Sequence, residues 1–154
     1  MSARALDLAP EPIVDADAML RLGRYVARQL GPGDVLALVG ELGAGKTTFV
    51  KGLASGLGID PDAVASPTFG LVHQYGGGEI PLVHADLYRL ASGAEAEAAG
   101  LADLLHDPES IVAVEWPWHA RHLLPRHAVW LQFSLVGEPL GSGGRSVLHV
   151  LAPA

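Results

Sequence analysis

Apolar positions change their spacing several times along this 154-residue chain, and each change marks an element. After a short alternating stretch, Ala5, Leu6 and Leu8, come Met19, Leu22, Val26 and Leu30 at helical spacing. That spacing predicts an amphipathic helix with one buried face. Asp15 or Asp17 can cap its start, and Gly31-Pro32 stops it. Val35 to Val39 is unbroken apolar sequence just before a Gly-rich turn, as in a buried strand of a parallel sheet. Helical spacing returns at Phe49, Val50, Leu53 and Leu57, with Gly58 as the stop.

From Ala65 the pattern becomes extended. Ser66-Pro67-Thr68 reads as a loop, Phe69 to Tyr75 as a strand, and Gly76-Gly77-Gly78 as a hairpin turn. Ile80 to Tyr88 is then the returning antiparallel strand. Ser92 with Glu95 matches a capping box at the start of an Ala-rich helix, interrupted by Gly100 before Leu101 to Leu105. Ile111 to Val114 is a second continuous apolar run, ending in Glu115. Val129, Leu131, Phe133 and Leu135 alternate with Trp130, Gln132 and Ser134, which predicts a strand buried on one face. Gly141 to Gly144 turns the chain into a last strand, Val147 to Leu151. Buried runs, half-buried strands and several helices together predict an α/β fold: a mixed sheet flanked by helices, with antiparallel strands in it. The length suits a single domain, residues 1–154.

Composition narrows the classes of function. Hydrophobic residues make up 49% and charged residues 18%, so the chain can bury a sizeable core and is not of disordered composition. A net charge of −7 repels phosphate backbones and disfavours broad nucleic-acid binding. Arg21, Arg24 and Arg28 share one face of the first helix, which is either an RNA-facing stripe or, the better reading, a solvated face. The absence of cysteine excludes disulfides, thiolate zinc sites, iron–sulfur clusters and thiol catalysis. The N-terminus lacks an apolar core of signal-peptide length, and no run approaches a membrane helix. An uncleaved cytoplasmic protein is expected.

The sharpest chemical signal is Gly40-Glu41-Leu42-Gly43-Ala44-Gly45-Lys46-Thr47, a complete G-x-x-x-x-G-K-[ST] between a strand and a helix. Such a phosphate loop curls backbone N–H groups around an anion at the positive end of a helix. Lys46 places its charge on the β- and γ-phosphates, and Thr47 offers a hydroxyl to Mg²⁺. Two acids end strand-like runs. Glu115, after the fully apolar run, is the better candidate for holding Mg²⁺, often through water. Asp86 is left to orient the attacking water or to act one shell out. Thr68 either adds a hydroxyl near the metal or is a plain turn residue. Trp116 either covers a nucleotide or partner, or sits in the core.

The seven histidines show no convincing metal spacing, and His84-Ala85-Asp86 is one of two close groupings. The chain has no Asn, and its two lysines stand at 46 and 51, which excludes guanine recognition by N-K-x-D and favours ATP. A hydrolase is expected. A small-molecule kinase is the rival enzyme class, although no arginine-dense lid segment is present, and a nucleotide-gated adaptor without hydrolysis is the third reading.

Taken with their order and spacing, GELGAGKTT (40–48), Ser66-Pro67-Thr68-Phe69, His84-Ala85-Asp86-Leu87-Tyr88-Arg89-Leu90 and Val114-Glu115-Trp116-Pro117 resemble the bacterial TsaE (YjeE) family. The resemblance runs over roughly residues 5 to 150. It implies an ATPase of tRNA threonylcarbamoyladenosine biosynthesis with a phosphate-loop NTPase-type fold. The expected partners are TsaB and TsaD, which modify adenosine 37 of tRNAs, and ATP hydrolysis would sustain their multi-turnover cycle. Carried onto this chain, it implies Thr47 and Glu115 as Mg²⁺ ligands, Asp86 as an essential aspartate, Thr68 as the functional loop threonine and Trp116 as the Trp after the strand acid. Thr48 falls within the nucleotide-binding loop, and Asp15 and Arg145 fall near the adenine. Gly70 and Trp118 depart from the usual family pattern.

Overall fold

The computed structural model describes residues 5–8, 12–64, 72–136 and 144–150. Its frame is a six-stranded sheet built from β1 (Val35–Gly40), β2 (Val72–Tyr75), β3 (Leu82–Asp86), β4 (Ile111–Glu115), β5 (Val129–Val136) and β6 (Gly144–Val150). The strand order is β2-β3-β4-β1-β5-β6. β3, β4, β1 and β5 run parallel, and the two outer strands pair antiparallel with their neighbours. The mixed α/β sheet read from the sequence is therefore the observed one, with an antiparallel strand on each edge.

Helices α1 (Ala16–Ala27) and α2 (Lys46–Gly56) cover one face. There Met19, Leu22, Val26, Phe49, Val50 and Leu53 pack on Leu36, Leu38, Leu131 and Phe133. The rings of Phe49 and Phe133 meet edge to face, 5.2 Å between centroids, an arrangement aromatic pairs favour. Helices α3 (Gly93–Ala98) and α4 (Leu101–Leu105), with a 3₁₀ segment at Pro117–Leu123, lie on the other face. Ala96, Leu101, Leu105 and Ala120 cover Val35, Val83, Val112 and Val114 there. Burial on both faces is why β1 and β4 read as continuous apolar runs.

Local signals placed most boundaries. Asp15 caps α1 by accepting from the Ala18 N–H at 2.8 Å. Ser92 caps α3 by accepting from the Glu95 N–H at 3.1 Å, and the Glu95 carboxylate reaches back to the Ala91 N–H at 3.0 Å. Gly100, at φ 72°, separates α3 from α4 because a left-handed residue suits glycine best. α1 ends before the Gly31-Pro32 stop: Gln29 and Leu30 already form tighter i→i−3 bonds, and the Gly31 N–H turns to the Asp34 carboxylate at 2.8 Å.

Three differences concern the strands. β3 ends at Asp86: the Leu87 N–H donates the last rung of the ladder to the Glu115 carbonyl at 3.0 Å, and the next N–H, from Tyr88, turns back to the Asp86 carboxylate at 3.1 Å. On β5 the alternation fails at two residues. Trp130 is buried and Leu135 is 52% exposed. Trp130 stands opposite Ala37, with the Trp118 ring 5.9 Å away as a lid, whereas Leu135 lies past the end of β1, where the neighbour is Arg145 on the edge strand. β6 begins at Gly144 rather than Val147 because Gly144, Arg145 and Ser146 already pair with Val136, Leu135 and Ser134 of β5, and the Arg145 N–H also bonds the Ile13 carbonyl at 2.8 Å. The expected loop at Ser66-Pro67-Thr68, with Phe69 and Gly70, lies outside the described residues.

Candidate nucleotide site

The phosphate loop leaves the end of β1 and enters α2 at Lys46, in the middle of the parallel part of the sheet. Gly43 and Gly45 hold φ of 80° and 103°, left-handed values that an L side chain resists. At Gly45 a Cβ would also meet the Met19 side chain at 2.7 Å, so α1 supports the loop from behind. Glu41, Leu42 and Gly43 are exposed, Ala44 is buried, and Thr47 and Thr48 are half-buried.

Lys46 is only 4% exposed. Its Nζ donates to the Gly40 carbonyl and lies 3.6 Å from the centre of the Trp116 ring, within cation–π range. Burial lowers the Lys46 pKa, and the nearby Glu115 and Asp86 carboxylates partly restore it. Trp116 reaches this position because its backbone takes φ 55°, ψ 58°, the one left-handed non-glycine among the described residues. Its ring also lies 4.9 Å from that of Tyr88.

Sheet register assembles the acids. Asp86 and Glu115 are direct partners on the adjacent parallel strands β3 and β4. The Thr47 hydroxyl lies 3.0 and 3.2 Å from the two Glu115 oxygens. Asp86 has its pKa raised, first by burial and further by the Glu115 charge, against the lowering effect of the Tyr88 N–H and of Lys46 and His84. Lys46, Thr47, Thr48, Asp86, Glu115 and Trp116 line one cleft of about 260 Å³ together with the loop glycines. It adjoins a second hollow of about 140 Å³, where Asp15 and Arg145 face the loop at Gly43, Gly45 and Thr48. Arg145 donates from Nε to the Gly43 carbonyl at 3.2 Å. A larger cavity, about 440 Å³, lies under α1 beside Arg21, Arg24 and Arg28. The loop, the ammonium and both acids converge in the cleft of about 260 Å³.

The oxygen donors fit Mg²⁺, which prefers carboxylate, hydroxyl, water and phosphate oxygens to a cage of protein ligands. No group of three or more His, Asp or Glu suited to a metal occurs among the described residues. Thr68 lies outside the described residues. Of the other expected site residues, Leu42, Gly43, Gly45, Lys46, Thr47, Thr48, Asp86, Glu115 and Trp116 line the cleft and Asp15 and Arg145 line its annex, whereas Gly40, Glu41 and Ala44 of the loop line neither. One participant was not among the expected site residues. His84 is fully buried, with Nε2 2.6 Å from Glu115 Oε2. Its sequence signal was the two-residue step from His84 to Asp86, which puts both on one face of β3.

The chain matches the family model described as threonylcarbamoyl adenosine biosynthesis protein TsaE over residues 13–139. It is 38% identical to the Bacillus subtilis tRNA threonylcarbamoyladenosine biosynthesis protein TsaE over 125 residues, 81% of this chain and 77% of that protein. The protein of the same name from Borreliella burgdorferi is 40% identical over 125 residues, covering 81% and 88%. The one from Streptomyces coelicolor is 50% identical over 101 residues, covering 64% and 66%. Among solved structures, Bacillus subtilis YdiB superposes with a TM-score of 0.73 at 28% identity, covering 98% of this chain and 90% of that one. With a phosphate loop, paired strand-end acids and this similarity over most of its length, the chain belongs to the TsaE family.

Proposed function

We propose that this chain, working as one domain in the cytoplasm, is a Mg²⁺-dependent ATPase serving the modification of tRNA to N6-threonylcarbamoyladenosine at position 37. TsaB- and TsaD-like proteins would be its partners, with tRNA reached through that complex. The observation that carries the reading is the convergence of Lys46, Thr47, Asp86 and Glu115 on one cleft at the mouth of the phosphate loop. Family membership supplies the pathway, since the relatives named above are biosynthesis proteins for this nucleoside.

In this reading the loop amides from Gly40 to Thr48 and the Lys46 ammonium gather the triphosphate, and the annex at Asp15 and Arg145 takes the adenosine end. Thr47 and Glu115 would hold Mg²⁺, which when bound neutralises charge on the β- and γ-phosphate oxygens. Asp86 orients the attacking water, Trp116 covers the phosphates, and Thr68 senses the γ-phosphate and reports it to partners. Catalysis of this kind is mostly positioning and electrostatics. Here Lys46 is engaged by the Gly40 carbonyl and Thr47 by Glu115, so both must be drawn onto ligand. Slow hydrolysis alone and faster hydrolysis with partners follow.

The test is γ-labelled ATP with Mg²⁺, with and without the partner complex. Label released as free phosphate, lost in Lys46→Ala and stimulated by partners, supports the ATPase. Label transferred to an acceptor makes the protein a kinase. ATP-dependent complex formation with no phosphate release at any partner concentration makes it a nucleotide-gated adaptor.

A further inference from the structure

We propose that His84 is a positioning residue: its Nε2–H holds the Glu115 carboxylate in the orientation in which that carboxylate serves the cation. The inference rests on the assignment of Glu115 as a cation ligand and adds a residue and a mechanism to it.

Glu115 is 3% exposed, and a buried carboxylate needs donors. Thr47 lies near both of its oxygens but has a single proton to give. The second donor is His84, 2.6 Å from Oε2, within the short range of charge-assisted bonds. The sheet sets this geometry. His84 pairs in register with Ala113, and Glu115 follows two residues on, on the same face. The small Ala113 leaves the imidazole room to lean along the strands toward the carboxylate. With His84 holding Oε2, Oε1 is left on the side of the Thr47 hydroxyl, 3.2 Å away, in the cleft that Thr47 and Glu115 both line, the arrangement in which an outer residue tunes a metal ligand.

The other ring nitrogen supports this reading. Nδ1 is buried and has no hydrogen-bond partner. An apolar side chain would fill the same slot without stranding a polar atom. The imidazole is therefore explained by what Nε2 does for Glu115, and the proton belongs on Nε2, where there is an acceptor.

The experiment measures ATP affinity of the full chain by calorimetry, in EDTA and in Mg²⁺, for wild type, His84→Leu and His84→Gln. Gln keeps an N–H donor of similar reach. His84→Leu is expected to bind ATP in EDTA as wild type does and to lose about 10- to 100-fold of the Mg²⁺-dependent gain, with Gln recovering most of it. A folded Leu variant with the full gain overturns the proposal, as does a folded Gln variant as impaired as Leu. A wild type that binds ATP with no Mg²⁺-dependent gain removes the cation assignment itself, and this role with it. If the Leu variant does not fold, ¹⁵N imidazole spectra of wild type decide: a protected Nε2–H, retained with Mg²⁺ and ATP, supports the clamp, and a bare Nε2 overturns it.

Discussion

Lys46 carries its charge into a site where 4% of its surface meets solvent, and burial outweighs the neighbouring carboxylates, so its pKa falls. Between that lowered value and the usual 10.5 the unfolded chain binds more protons than the folded one. Stability must therefore rise with pH across this interval, and at pH 7 the ammonium costs stability. Lys46→Met keeps the stem and removes the charge. In urea unfolding the variant should be at least as stable as wild type at pH 7, lack this lysine's share of the rise toward pH 10.5, and show no ATP binding by calorimetry. A clear loss of stability at pH 7 would mean that the Gly40 carbonyl and the Trp116 face outweigh desolvation. The loop around Lys46 was legible because eight consecutive residues contain its chemistry. His84 and the Trp116 ring were not legible as partners of Glu115 and Lys46, because those contacts arise from strand register and from one left-handed backbone position.

Helices α1 and α2 touch through glycine, and this contact links packing to the site. A Cβ on Gly52 would lie 2.4 Å from the Leu20 carbonyl oxygen and 2.9 Å from the Gly23 Cα; one on Gly23 would lie 2.4 Å from the Phe49 carbonyl oxygen. These obstacles are backbone and cannot rotate away. Gly52→Ala gains about 1 kcal/mol of helix propensity but forces apart two helices, at a typical overpacking cost of about 1–3 kcal/mol. A lower urea midpoint with unchanged slope is expected. ATP affinity should fall with it, because α2 begins at Lys46 and Thr47. A midpoint at or above wild type would show that the helices separate at no cost. Spacing identified both helices but gave no reason for these glycines, since a crossing point depends on how two elements meet. The same limit explains β5, where the neighbours Ala37 and Trp118, rather than alternation, decide that Trp130 is buried.

At the scale of the whole molecule, the parallel strands β3, β4 and β1 end side by side, which brings Asp86, Glu115 and the phosphate loop to one edge of the sheet. Ligands in such sheets bind beyond the carboxyl ends of the strands. The two acids could be suspected from sequence, but their adjacency could not, because β4 enters between β1 and β3 only in the folded sheet. Charge is the other property that belongs to the whole chain. A net −7 opposes the counterion release that drives binding to polyanions. Against it stand Arg21, Arg24 and Arg28 along the α1 cavity, too few to reverse the field. The isolated chain should therefore bind tRNA no more tightly than the weak end of non-specific association, about 10⁻⁴ M at physiological salt, by fluorescence anisotropy of labelled tRNA. A micromolar Kd abolished by replacing the three arginines with glutamine would show that this face gathers RNA by itself. Weak binding that strengthens only when partner proteins are added would place tRNA recognition in the assembled complex, as the charge of this chain requires.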